Sequence, residues 1–200
     1  MRSLPIVALT LALIMPLAPS FALTPPTRVR GTVASLDGQS LVVTARNGQT
    51  VHVTLANDAT ITSSSTTQLN EVHPGSFIGT TTITQPDGTM KAIEVHVFPE
   101  SMRGSGEGSR PWDLGPTSTM TNGTVGQIEG TSSRSLTVKY KEGEKTVVVP
   151  PDVPVVDLEP GTRAQLTPGA HVFVIATKAA DGSLSASRVT VGKNGLEPPM

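Results

Sequence analysis

Four histidines stand in this chain, at positions 52, 73, 96 and 171, and two of them sit where β structure could build a metal site. Glu94 and His96 are two residues apart, so on a strand both side chains leave one face, opposite Val95 and Val97. His52 lies on the polar face of another alternating run, opposite Val51 and Val53. Were those two strands neighbours, the two imidazoles and the carboxylate would converge into a three-ligand set suited to Zn²⁺ or Cu²⁺. The plainer alternative is two surface histidines and a solvated glutamate. An internal comparison favours it: the second half of the chain places Val148, Arg188 and Thr190 at the corresponding positions, so the fold does not need the trio. His73, before Pro74-Gly75, reads as a loop residue, and His171 as a strand residue facing solvent.

Other chemistries find less support. No Gly-x-Ser-x-Gly elbow occurs and there is no cysteine, so neither a serine-hydrolase turn nor a thiol nucleophile is present. The acidic residues cluster in turns: Asp37, Asp87 and Asp181 precede glycine, and Glu142 and Glu144 flank Gly143. Such residues bond their own backbone and tolerate turn geometry, which accounts for them without catalysis. One Trp, one Tyr and four Phe leave few platforms for stacking sugars or bases. A net charge of −1, with charges spread along the chain, gives no footprint for nucleic acid. The expectation is a protein without enzymatic activity and without a cofactor.

The elements that would position these residues come in two sets. Gly31-Thr32-Val33, Pro74-Gly75 and Asp87-Gly88 reappear in the same order as Gly123-Thr124-Val125, Pro168-Gly169 and Asp181-Gly182. The separations are nearly constant (31 to 123, 74 to 168, 87 to 181), which implies two copies of one folded unit. Within each copy Val and Thr dominate runs bounded by turn residues, the pattern of strands. In the first copy Asn47-Gly48 is a strong hairpin signal, and Val51, Val53 and Leu55 alternate with Thr50, His52 and Thr54. A less regular stretch with Ser63-Ser64-Ser65 follows, and then strands from Phe77 and Ala92 around Asp87-Gly88. In the second copy Pro150-Pro151 and Pro154 break the ladder, so the segment after them reads as an edge or a loop. About five strands per copy, joined by tight turns, are best closed into a barrel that leaves no free edge.

This plan of Gly-x-Val, Leu-x-Val, Pro-Gly and Asp-Gly-x-x-x-Ala-x-x-Val resembles the bacterial domain-of-unknown-function family 5666. The first copy carries it in Gly31 to Val33, Leu41 to Val43, Gly48, Pro74-Gly75, and Asp87 to Val95. The second carries it in Gly123 to Val125, Leu136 to Val138, Gly143, Pro168-Gly169, and Asp181 to Val189. The resemblance implies exported small β domains, often in tandem, with no catalytic residues to transfer.

The ends and the middle of the chain complete the expectation. Met1-Arg2, an apolar stretch over residues 4–17 and Ser20-Phe21-Ala22 form an export signal with cleavage after Ala22. Its length and its prolines argue against a spanning helix of about 20 residues, and no second apolar run follows. Export without cysteine points to a bacterial periplasm or medium. Residues 99–119 contain Gly104-Ser105-Gly106-Glu107-Gly108 and the only tryptophan. They read as a linker in which Trp112 and Met102 either dock on a barrel or cover a ligand groove between barrels. The chain is thus expected to be all-β, with two tandem OB-like barrels of about five strands. The boundaries are a signal peptide over 1–22, barrels over 28–98 and 120–192, a linker over 99–119 and a tail over 193–200. The function expected is non-covalent binding of a protein or an envelope polymer, without nucleic acid and without a membrane span in the mature chain. Trp112 and Met102 are the ligand-contacting residues of that reading; His52, Glu94 and His96 belong to the metal alternative.

Overall fold

The valine-rich alternating runs become twelve strands. The computed structural model describes residues 25–129 and 134–200; the leader read from residues 1–22 lies outside them. The first repeat forms β1 (Thr27–Asp37), β2 (Ser40–Ala45), β3 (Thr50–Thr66), β4 (Phe77–Thr84) and β5 (Met90–Val97). The connecting stretch contributes β6 (Gly108–Pro111). The second repeat forms β7 (Ser118–Glu129), β8 (Ser135–Tyr140), β9 (Gly143–Val148), β10 (Val155–Pro160), β11 (His171–Lys178) and β12 (Leu184–Gly192). Among the described residues the helices are short 3-10 turns, and no helix is long and apolar enough to cross a membrane.

Pairing departs from the expected boundaries. β1, β2 and β3 form a meander, but the sheet closes on β11 and β12 of the other repeat: β1 pairs antiparallel with β11, and β3 runs parallel to β12. Reciprocally, β7 and β8 pair with each other and β8 with β9, while β7 takes β4 as its other neighbour. That second barrel closes where β5 meets β9 at Lys91↔Val148 and continues along β10. Each barrel therefore consists of the leading strands of one repeat and the last hairpin of the other. The expectation that residues 28–98 and 120–192 each close their own barrel is corrected: two five-stranded barrels exist, with exchanged hairpins.

The length of β3 explains the exchange. Seventeen residues at about 3.3 Å each carry the chain some 55 Å, well beyond one small barrel. Its last residues, Thr62 to Thr66, pair antiparallel with β10 in a ladder centred on Ser64↔Leu158. Those two positions correspond in the repeats, so this seam lies on the pseudo-twofold axis relating the barrels. The chain leaves the seam on the far side and deposits β4 and β5 on the second barrel, as an intramolecular domain swap. The stretch around Ser63-Ser64-Ser65 is thus strand, held between β12 and β10. Ser63 and Ser64 are buried there because small side chains let three strands of two barrels approach. β10 is likewise no edge: Pro150, Pro151 and Pro154 precede it in the turn, and its two sides are taken by β3 and β5.

The cores mix the repeats in the same way. In the first barrel Val33, Leu41, Val43 and Val53 pack with Val174 and Val189. In the second, Val125, Leu136, Val138 and Val147 pack with Ile78 and Val95. The loops that carry the hairpins across add matching plugs, Leu166 in the first core and Val72 in the second. The repeated Gly-Thr-Val also finds its reason. A Cβ on Gly31 would lie 2.1 Å from the Thr44 carbonyl oxygen, and one on Gly123 2.3 Å from that of Lys139. Each glycine lets the first strand press against the second just before a register shift at Val33 or Val125, the bend a small barrel needs.

Exchange makes the halves interdependent. Residues 25–98 and 99–200, coexpressed as separate chains, are expected to copurify as a folded one-to-one complex, while neither alone yields a folded monomer. Size-exclusion chromatography with circular dichroism reads this, and two independently folded monomers would contradict the pairing.

Candidate functional site

Where the barrels face each other beside the seam, they leave a cavity of about 280 Å³. Its walls come from both: Thr60 and Thr62 of β3, Phe173 of β11, and Arg188 and Thr190 of β12 on one side; His96, Met120 and Asn122 on the other. The connecting stretch supplies the roof through Met102, Arg110 and Trp112, and Met200 packs into one end with Leu158 and Phe173. Trp112 and Met102, singled out in the sequence, therefore line one cavity.

That roof is tied down along its length and is not a free linker. Arg103 bonds both carboxylate oxygens of Glu100 and donates to the Gly75 carbonyl at 2.9 Å. Asn122 donates to the Ser105 carbonyl at 3.0 Å. β6 pairs with β7, and the Trp112 amide reaches the Ser118 carbonyl at 2.8 Å. At its far end Asp113 takes two bonds of 2.8 Å from Arg30. The Arg28 guanidinium stacks 3.8 Å from the Trp112 ring centroid, a cation–π contact.

The wall beside β5 contains the buried polar group of the proposed metal trio. Glu94 is fully buried; Thr81 Oγ1 donates to its Oε1 at 2.7 Å, and His96 Nδ1 lies 2.9 Å from its Oε2. The other ring nitrogen rests on Gly79, where any Cβ would fall 1.9 Å from Nε2 and 2.7 Å from Asn122 Oδ1. Gly79 is thus the notch that admits the imidazole. His52 is not part of this arrangement. It stands exposed on β3 opposite Val42, and β3 and β5 are separated by β10. No group of three metal-ligating side chains occurs among the described residues, so the His52, Glu94 and His96 set is not assembled. The ladders confirm the correspondence of Glu94 and His96 with Arg188 and Thr190, since Thr81↔Glu94 matches Ile175↔Arg188 and Gly79↔His96 matches Phe173↔Thr190. For His52 they give Thr146 in place of Val148, because Val53 and Val147 are the matched core residues.

What the sequence did not reveal is a concentration of positive charge. Arg28 and Arg30 of β1, Arg110 of β6 and Arg188 of β12 come from three separate stretches and gather around the Trp112 end of the cavity. Burial, and then the charges of Arg28 and Arg188, push the Arg110 guanidinium below its ordinary range, although it stays charged. Arg30 donates through Nε to the main-chain oxygen of Met200 at 2.5 Å and through its other two nitrogens to Asp113; hydrogen bonding from Arg30, then the charges of Arg30 and Arg28, hold the Asp113 carboxyl below the ordinary 3.8 despite partial burial. Alternation could have placed each arginine on an outward face, but not on the same side of two barrels.

Two expectations follow from these contacts. Glu94→Ala removes the acceptor of Thr81 and His96 and leaves both buried, costing on the order of 3 kcal/mol; a fall in the denaturation midpoint at unchanged slope checks it. Because the folded carboxyl of Asp113 titrates below 3.8, its bond to Arg30 is intact above that value and is lost as pH falls through the lower folded one. Trp112 emission should hold constant from neutral pH to about pH 4 and change only below, whereas Asp113→Asn should show the acid-type emission already at neutral pH.

No curated protein and no solved structure matches the chain. The family model described as "Domain of unknown function (DUF5666)" matches it twice, over residues 30–96 and 125–190. With most of both repeats covered in two copies, this chain belongs to the DUF5666 family.

Proposed function

We propose that this is a non-enzymatic binding protein of the bacterial cell envelope, periplasmic or secreted, whose partner is held in the cavity between the exchanged barrels. The leader-like start of the sequence and the absence of cysteine support export. The observation that carries the binding reading is the cavity itself, walled by both barrels and roofed by a tethered segment bearing the chain's only tryptophan. Concave sites with mostly apolar walls and a few convergent polar groups, set between domains, are where ligands are usually held. Its 280 Å³ has room for about nine water molecules at about 30 Å³ each. A protein or an envelope polymer would therefore be engaged through one protruding group at a time, with the remainder lying along the outer barrel faces.

Trp112 reports on the roof without a label. Envelope material separated into protein and polysaccharide fractions and titrated into the purified chain should give a saturable change in its emission with one fraction. Thr190→Phe, which fills the cavity from its wall, should remove that change. If no fraction alters the emission, or if Thr190→Phe responds as the unaltered chain does, the cavity is not where a partner binds.

A further inference from the structure

The charges around this cavity do not balance. The chain as a whole carries a formal net charge of −1, yet among the described residues no aspartate or glutamate lines the cavity, while Arg110, Arg188 and His96 do. Arg28 stacks on Trp112 and Arg30 on Phe173, so four guanidiniums surround one end, where Asp113 and the main-chain oxygen of Met200 both accept from Arg30 and neither accepts from Arg188. Asp113 is engaged by Arg30 through both oxygens and reaches Arg28 Nε only at 3.9 Å. Glu94 is turned away into its bonds with Thr81 and His96. Arg188 has no hydrogen-bond or ion-pair partner among the described residues, and Arg110 donates to the Gly106 carbonyl alone. Gathering like charges against an apolar wall is unfavourable unless something of opposite sign joins them.

Buried polar atoms at this end of the molecule point the same way. Arg28 Nε, Trp112 Nε1 and Asn122 Oδ1 are buried and have no hydrogen-bond partner among the described residues. Asn122 itself is 5 % exposed, and its amide nitrogen is already bonded to Ser105. Trp112 and Asn122 line the cavity and Arg28 stacks on Trp112, so two unsatisfied donors and one acceptor stand at or against this space, whereas buried polar groups are satisfied as a rule. The rest of the lining is apolar: Phe98, Met102, Leu158, Phe173 and Ile175 provide a surface for hydrocarbon or an aromatic ring.

We propose that the cavity takes a small organic anion, a carboxylate or phosphate ester on an apolar body, with the anionic group between Arg110 and Arg188 and the body against Trp112 and Phe98. Planar guanidiniums on two separate elements suit an oxyanion because each can donate two parallel hydrogen bonds. Arg188 belongs to the first barrel and Arg110 to the roof, so an anion bridging them would also fasten the roof to the barrel. The assignment deepens the binding reading given above and rests on it.

Matched probes separate the two ideas. Isothermal titration of the full chain with phenylacetate, phenyl phosphate and hexanoate is set against the neutral amide phenylacetamide and the cation phenethylammonium. At least one anion should bind ten or more times as tightly as phenylacetamide, and phenethylammonium should not bind. Arg188→Gln, an exposed substitution that leaves the cores untouched, should weaken that anion at least tenfold, as should Arg110→Gln; Lys178→Gln, exposed toward the turn of the β11–β12 hairpin and outside the cavity lining, should leave it unchanged. Equal affinity for acid and amide, or full anion affinity in both cavity variants, overturns the charge assignment while leaving the binding reading standing. If none of the probes binds but an envelope fraction still changes Trp112 emission, the anion assignment falls alone. Silence of Trp112 toward probes and fractions together removes both.

Discussion

The antiparallel ladder between the ends of β3 and β10 is the contact on which the rest of this molecule depends. It joins the two barrels at corresponding residues, and it draws β3 so far from its own barrel that the following hairpin must be delivered to the other. From that one pairing follow the mixed cores, the matched plugs Val72 and Leu166, and the facing of two outer barrel surfaces across a narrow space. Small side chains at Ser63 and Ser64 are the local condition for it, because bulk there would force the three strands apart.

A seam of this kind creates an interior that neither repeat possesses. The outward faces of β5 and β12 would be solvated on an isolated barrel, and a polar pair such as Glu94 and His96 would need no special partner. Pressed against the opposite barrel, those faces become walls. Glu94 is then tolerated only because Thr81 and His96 satisfy it, and His96 fits only because Gly79 has no side chain. The two repeats differ at these matched positions. One wall carries a hydrogen-bonded carboxylate and an imidazole, and the other carries Arg188 and Thr190. The cavity is thus electrically asymmetric although the barrels that enclose it are related by pseudo-symmetry.

The connecting stretch became a fixed element through the same constraint. A chain running between two separate barrels could have been a loose tether, and its glycines suggested one. Because the barrels share strands, the stretch instead spans a fixed gap and can be pinned at both ends, by Arg103 near Gly75 and by Asp113 at Arg30. Trp112 is held between, stacked under Arg28. The family's turn glycines and core valines account for the barrels, whereas this roof lies between the two matched segments.

Much of the architecture was legible in the residues because it rests on local rules. Asn47-Gly48, Asp87-Gly88 and Asp181-Gly182 mark tight turns, alternating valines mark the buried faces, and a repeated order of such marks means a repeated unit. Gly31 and Gly123 could be seen as matching, though not as the places where two strands nearly touch. Trp112 and Met102 stood out by their rarity and their setting, but the metal trio failed because facing direction on a strand says nothing about which strand lies alongside. The two last hairpins have nearly the same pattern, so each could close either barrel; only the length of β3 and its pairing with β10 decide which it joins. The arginine cluster was invisible for the same reason, since charges far apart in the chain meet only through long-range pairing. Local patterning thus determined the strands, turns and cores of this protein, and the three-dimensional exchange alone decided what faces the space between them.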